Sequence, residues 1–579
     1  MTTAVIMLLV VHLTYLICLS TGEGVDMQSE TSPSSSSSLY VRQSSGLVRE
    51  ASVLDAIIFN AVFSAPVGAT LAFGILYALG LFPGADIVLA LVIAFVVNIP
   101  VCIMMSMMAS AMPRTGGDYV WISRILHPAV AVFSNFSAAV SALIGAAFWA
   151  RSFAVLALGP ALAVLGAVTQ NNGLINAGNA VSGNNATGQW WTFGLGLLLI
   201  IILAVAMSMG TKPAFRVQNV CWIIASLGTF LAFIALLISS NSGFIANFNA
   251  FAQPFTHSPN SFQSIQTAAN KIGFTFTGGH QFSSTLPVVA IIMTFMMWNW
   301  WSVYIAGELK SAGKLRRQLS IMIGALVWDS LFMIIGVLLL YRTASEPFVA
   351  SINALAGSPG YLLPVQPYYN LIASIAANNS VFALLIAISF VFWNLPAMFP
   401  NTFMPVRTIF AWSFDRILPS KLSEVSERTH APIPAIIVAS IIVAGILAWS
   451  VLSTSFATLL SMGVLAGVVT ILSVSVAAIA FPIRRPDLFR NSPANVRIGS
   501  VPILPIVAGL SILVMIGLAY LVLSYQALGI ANAQLGPLPG FIFMGSLIVI
   551  GLLIYFVARA VRAAQGINLD LIYSELPPE

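Results

Sequence analysis

Charge is scarce in this chain. Only 7% of its 579 residues are Asp, Glu, Lys or Arg, against roughly a quarter in an average soluble protein. A soluble domain cannot cover its surface with so few charges, so a cytosolic enzyme and a disordered scaffold are excluded. Cysteine is scarce too. Cys18, Cys102 and Cys221 all sit in apolar segments and offer neither a disulfide framework nor metal spacing. The five histidines are scattered, which excludes a paired-histidine zinc motif. No phosphate-binding glycine loop, nucleophile elbow or dinucleotide fingerprint occurs, so the chain carries no ATP site for a primary pump and no cofactor is expected. The net charge of +6 comes without a basic run interleaved with aromatics, and no nucleic-acid partner is expected.

What the chain has is apolar length. It is 59% hydrophobic with a mean hydropathy of +0.96. Runs of about 20 apolar residues recur, each long enough to cross a bilayer as a helix. They predict an all-α polytopic membrane protein with spans near 52–80, 86–112, 128–166, 190–209, 217–240, 286–308, 319–341, 379–405, 432–452, 457–481, 501–524 and 537–560. The third is too long for one straight crossing, which predicts a strong tilt or an interfacial end. Two polar stretches, 241–285 and 342–378, are too long for turns and predict short surface helices. Lys and Arg set the orientation. With the segment before the first span in the cytoplasm, all but Arg151, Lys271 and Arg342 of the 23 basic residues fall on that side. The prediction is a cell-membrane protein in contact with lipid, its linker 21–50 and C-terminus cytoplasmic. Ahead of the spans, Ala4 to Ser20 form a further apolar run, followed by a Ser-rich linker. It reads equally as a signal segment without a basic start, an extra helix, or sequence preceding a true start at Met27.

Two loops are specific. One, after the second span, contains Pro113-Arg-Thr-Gly-Gly-Asp118-Tyr119. The other, after the eighth, runs from Arg407 through Phe414-Asp415-Arg416-Ile-Leu-Pro419. Gly116 and Gly117 permit positive φ and close backbone approach, and Asp118 suits an arginine partner or backbone N–H groups. On these loops, at matching places in a twelve-span plan, the chain resembles the amino acid–polyamine–organocation superfamily of permeases. The resemblance covers about 51–560. It implies the leucine-transporter fold: 51–240 and 286–481 as inverted five-helix repeats, 501–560 as two added helices, 1–50 as an N-terminal segment and 561–579 as a tail. It also implies a secondary transporter working by alternating access. In that fold the first and sixth spans break at mid-membrane, where free N–H groups face a carboxylate and free C=O groups face an ammonium. Asp118, Arg407 and Asp415 read either as structural corners or as an inner gate.

The expected breaks have sequence support. In the first span, Ser64-Ala65-Pro66-Val67-Gly68 places a proline and a glycine near the middle. In the sixth, Trp298-Asn299-Trp300-Trp301-Ser302-Val-Tyr304-Ile-Ala306-Gly307-Glu308 is the richest polar-aromatic cluster of any span, and the resemblance puts its break at Ala306–Glu308. These two segments are the expected substrate site, with the tryptophans and Tyr304 as aromatic walls. Neither holds an acidic side chain apart from Glu308 at its edge, which favours a neutral, apolar or aromatic amino acid. Asp329 and Arg151 are charges inside spans, each costing about 2.5–3.5 kcal/mol if left alone. They are candidates for pairing with each other or for coupling, and Asp55 for the inner gate. The coupling ion is expected to be H+ or Na+. The fifth span has no Lys between Val217 and Leu237, so the lysine that replaces an ion in some relatives is missing. Other functions on this fold are transport of a polyamine, nucleobase or ion, and a non-transporting sensor. An intramembrane enzyme lacks any catalytic constellation.

Overall fold

The computed structural model describes residues 46–65, 71, 76–183, 185–276, 278, 280–453, 456–528 and 535–573. The early apolar run, most of the linker, and Pro66, Val67 and Gly68 lie outside the described residues. Among the described residues, eleven helices are long and apolar enough to cross a membrane, and Val53–Ser64 is a shorter apolar one. With Leu76–Leu81 continuing that first span, the bundle is a polytopic protein of about twelve spans, as its hydropathy predicts.

Burial separates inner from outer spans. In the sixth, Phe282–Glu308, 89% of the most apolar window is buried; in the twelfth, Leu538–Ala564, the figure is 28%. Large apolar residues of the outer spans, such as Leu237, Leu513 and Ile542, are more than half exposed. Such a surface is stable only against lipid. The sixth span therefore sits at the centre, packed against the second, Ile87–Ala111, the eighth, Ser380–Phe414, the tenth, Phe456–Arg484, and the eleventh, Ile503–Ser524, and it reaches the seventh, Leu315–Ala344, through the Asn299–Asp329 hydrogen bond.

Among the described residues, four spans depart from a simple α-helix. The first is helical from Val53 to Ala61 under a Ser52–Asp55 capping box, tightens over Val62–Ser64, and stops at Ala65 in the left-handed region, φ 38°. The sixth gives up α geometry at Met296, not at Ala306–Gly307. Residues 297–300 form turns, and Trp301–Glu308 continue as a tighter 3-10 helix. Two indole N–H groups hold this earlier break: Trp298 donates to the Thr294 carbonyl at 2.9 Å and Trp300 to that of Met297 at 2.8 Å, satisfying helix-end carbonyls. The third span, Pro128–Val168, contains a π-helical segment at Phe153–Leu158 just past Arg151. The eighth is interrupted at Phe392–Trp393, between Ser380–Val391 and Asn394–Phe414.

The eighth span also runs about nine residues further than expected, to Phe414, so the start of the second motif loop is helical. The sequence reads Arg407 as a loop charge; the structure keeps it in the helix, where a paired Arg can stay buried. The two polar stretches do form short helices: Asn241–Thr256, Ser261–Lys271, Glu346–Leu355 and Tyr369–Ala377. The last two are largely buried and not surface helices, because aromatic packing draws this whole layer onto the bundle. Phe262 and Phe348 stack at 4.0 Å between centroids, with Phe248 edge-on at 4.9 Å. This layer lies at the end of the bundle opposite the Arg-rich loops, called here the basic end.

Candidate functional site

The two breaks meet through a buried polar seam. The Asn60 side chain, one helical turn before the first break, accepts from the Ser302 N–H at 2.8 Å and donates to the Ser302 hydroxyl at 3.0 Å. Asn299 donates to the Asp329 carboxylate of the seventh span at 2.9 Å, and the Ser64 hydroxyl faces the same carboxylate. All five side chains are buried. Amides and hydroxyls at the points where helical hydrogen bonds fail let the backbone break without orphaning its polar groups.

Arg151 does not join Asp329. Its guanidinium donates to the Ser450 carbonyl of the ninth span. The π segment begins two residues later, and the helix turns Arg151 outward to a half-buried position. The pairing left open by the sequence is not made: Arg151 is turned to the ninth span, while Asp329 of the seventh is taken up by Asn299 of the sixth.

The basic end is closed by charge. Glu308, fully buried, accepts from Arg407 Nε at 2.6 Å and Nη2 at 2.8 Å, and from the Thr211 hydroxyl. The Ala51 N–H bonds to the Glu308 carbonyl and the Lys310 N–H to that of Ala51, each at 3.0 Å. The first span's entry is thereby stitched to the sixth span's exit. Arg124 pairs with Asp415 at 3.0 Å, and Tyr119 donates to the same carboxylate at 2.9 Å. Asp55 serves as a capping residue and accepts from Asn219 of the fifth span at 2.6 Å.

The twin glycines explain how the first motif loop reaches the sixth span. Gly116 and Gly117 have φ of 99° and 49°. A Cβ on Gly117 would lie 2.8 Å from the Val303 side chain and 3.2 Å from its backbone. The Gly116 N–H donates to the Tyr304 carbonyl at 3.3 Å. Asp118, at the start of the short helix Asp118–Ile125, accepts from Asn135 at 2.8 Å and Ser134 at 3.2 Å, with the Tyr304 hydroxyl facing it. Burial pushes its carboxyl up to about 6, against the lowering effect of those donors.

A narrow cleft opens beside the breaks. Phe63 of the first span, Phe148 and Trp149 of the third and Trp298 of the sixth supply aromatic walls; Ser141 and Thr294 supply hydroxyls; Gly463 of the tenth leaves the space. No charged side chain lines it among the described residues. Of the residues expected at the substrate, Trp298 stands in this wall. Ser64, Asn299 and Ser302 belong to the seam beside it. Trp300, Trp301 and Tyr304 are buried within the sixth-span break, packed on one another at 6.0–6.5 Å. Ala65 is the left-handed residue of the first break. The third- and tenth-span contributors carry no sequence signal of their own. Ser141 and Gly463 become visible only through their contact, the Ser141 hydroxyl donating to the Gly463 carbonyl at 2.9 Å.

No curated protein matches the chain. A family model described as amino acid permease matches residues 55–553, spanning every motif, break and cleft residue above. The family is one of transporters and not of enzymes, and this chain, with its broken spans around a cleft in a bundle of about twelve, belongs to the amino acid permease family.

Proposed function

We propose that the protein is a secondary active transporter that carries neutral or aromatic amino acids across the cell membrane by alternating access, with the cleft as its substrate site. The observation that carries this reading is the cleft's lining: five aromatic side chains (Phe63, Phe148, Trp149, Phe295 and Trp298), two hydroxyls and, among the described residues, no ionisable group. A cationic or anionic side chain would lose its hydration there without a counter-charge, whereas an apolar or aromatic one gains contact area. The broken helix ends beside it suit the charged carboxylate and ammonium that every amino acid shares.

Several observations support inverted repeats at 51–240 and 286–481. In such an arrangement the first span corresponds to the sixth and the third to the eighth. The first and sixth both break, and the third and eighth both carry an irregular turn and are the longest spans, at 41 and 35 residues. In this reading the basic end faces the cytoplasm, and the Glu308–Arg407 and Arg124–Asp415 pairs are its closed gate. Opening separates them. Asp329 carries the coupling charge. A buried carboxylate with no cationic side chain acting on it among the described residues is costly, and H+ or Na+ relieves that cost while binding to both breaks through Ser64 and Asn299.

The test is uptake of a labelled amino-acid panel into proteoliposomes, with and without imposed proton and sodium gradients. Concentrative uptake of neutral or aromatic members under one gradient is expected, lost in Asp329→Asn. Preference for a cationic or polyamine solute would overturn the substrate reading. Orientation is tested by cysteine labelling in whole cells: modification of Ser311→Cys by an impermeant reagent would invert it.

A further inference from the structure

The chain does not end at its last span. Gly566, at φ 76°, follows the helix that closes at Ala564. The Ile567 N–H bonds back to Arg562 O at 2.9 Å and the Gly566 N–H to Ala563 O at 3.0 Å, the paired closure that reverses a chain after a helix. Asn568 then caps a single turn, Leu569–Ile572, by accepting from the Asp570 N–H. Leu569, Ile572 and Tyr573 are at most 8% exposed, whereas a terminal segment that is not tied down is normally loose. Arg562 anchors the reversal on the second motif loop, donating to Arg416 O at 2.8 Å and to Leu418 O at 3.1 Å.

This delivers Tyr573 onto the Arg124–Asp415 pair. Its hydroxyl lies 3.0 Å from that of Tyr119. Tyr119 spends its single proton on Asp415, so the Tyr119 oxygen accepts from Tyr573. The chain of donors runs Tyr573 to Tyr119 to Asp415. On the other side, the Arg124 guanidinium sits 5.1 Å from the centre of the Tyr573 ring, within range of a cation–π contact. Tyr573 thus braces the anion through a relay and the cation by its ring face: it touches Tyr119 and Arg124 of the first motif loop directly and reaches Asp415 of the second through Tyr119.

We infer that Tyr573 is a positioning residue of the gate at the basic end: docked, it holds Arg124 on Asp415 and keeps that end shut, and it must leave for that end to open. This rests on the reading of that end as a transporter gate, and it adds a hold on the gate from the last span, which lies outside both repeats.

The test uses the full chain with Cys18, Cys102 and Cys221 replaced by alanine and one reporter cysteine. Ser413→Cys reports on the basic end, and Ser374→Cys, buried at the opposite end, serves as control. Maleimide labelling rates are compared in Tyr573, Tyr573→Phe and Tyr573→Ala backgrounds. Phe keeps the ring and loses the relay, so labelling at 413 should rise about threefold; Ala loses both, for about tenfold, with 374 unchanged. Equal rates at 413 in all three backgrounds overturn the proposal. So does equal acceleration at both reporters, which marks a loosened fold. The readout does not require transport: faster labelling at 413 in a protein that moves no amino acid would sink the transporter reading and leave the bracing role of Tyr573 standing.

Discussion

The two ends of the bundle are closed by different physics. At the basic end, Glu308–Arg407, Arg124–Asp415 and the Asp118 cluster are buried charges satisfied by named partners. At the opposite end the short helices interlock through Phe244, Phe248, Phe262 and Phe348 with few ionisable groups. Breaking a charge pair leaves an unpaired buried ion, so the basic end favours two discrete states. Loosening an aromatic layer costs roughly in proportion to the area uncovered, so the other end can yield by degrees. One end is built as a latch and the other as a cover.

The largest effect that separates them should come from Glu308→Ala. It strands Arg407 in a dry site and should cost about 3–5 kcal/mol, read as a lower unfolding midpoint in detergent. Glu308→Gln combined with Arg407→Met should recover more than half of that loss; a double variant as unstable as the single would show that the pair does not act as a unit.

Next comes a pH signature from Asp118 at the basic end. The Asp118 carboxyl sits near 6 in the folded protein and near 3.8 when exposed. Between about pH 4 and 6 the unfolded chain has shed this proton while the folded chain keeps it, so stability falls as pH rises through that window and levels off above it. The change is on the order of 3 kcal/mol. Asp118→Asn should remove that share of the slope, and an unchanged slope in that variant would remove Asp118 as a source.

Phe262→Ala, at the partly buried edge of the aromatic layer, should cost about 2 kcal/mol at every pH from 4 to 8. A pH-dependent loss there would erase the contrast between the ends. The smallest effect should be that of Arg559→Gln. Its pair with Asp570 is close at 2.6 Å but about half exposed, so it should contribute less than about 1 kcal/mol, and salt should weaken it further.

Much of this contrast was legible before any coordinates. Apolar run length set the spans, and the arginine-rich loops marked the basic end. The Gly116–Gly117–Asp118 and Asp415–Pro419 motifs pointed to its corners. What stayed hidden depends on partners distant in sequence. Arg407 looks like a loop charge until Glu308, 99 residues earlier, neutralises it. The tryptophans at 298–301 read as pocket walls, yet two of their indoles are engaged in capping the break they cause. Ser141 and Gly463 are ordinary helix residues until they face each other. Tyr573 sits in a tail whose only sequence mark is the helix-ending Gly566.

The central claim is that the cleft between the first, third, sixth and tenth spans receives the amino acid. Gly463 tests it directly. A Cβ there would sit 3.5 Å from the Ser141 hydroxyl and 4.0 Å from the Ile144 side chain, ordinary contacts, so a larger side chain grows into the cleft without striking backbone. Equilibrium binding of labelled phenylalanine to purified wild type, Gly463→Ala and Gly463→Leu should show near-normal affinity for Ala and a loss of at least about tenfold for Leu, with unfolding midpoints unchanged. Undiminished binding by a stable Gly463→Leu protein would contradict the account.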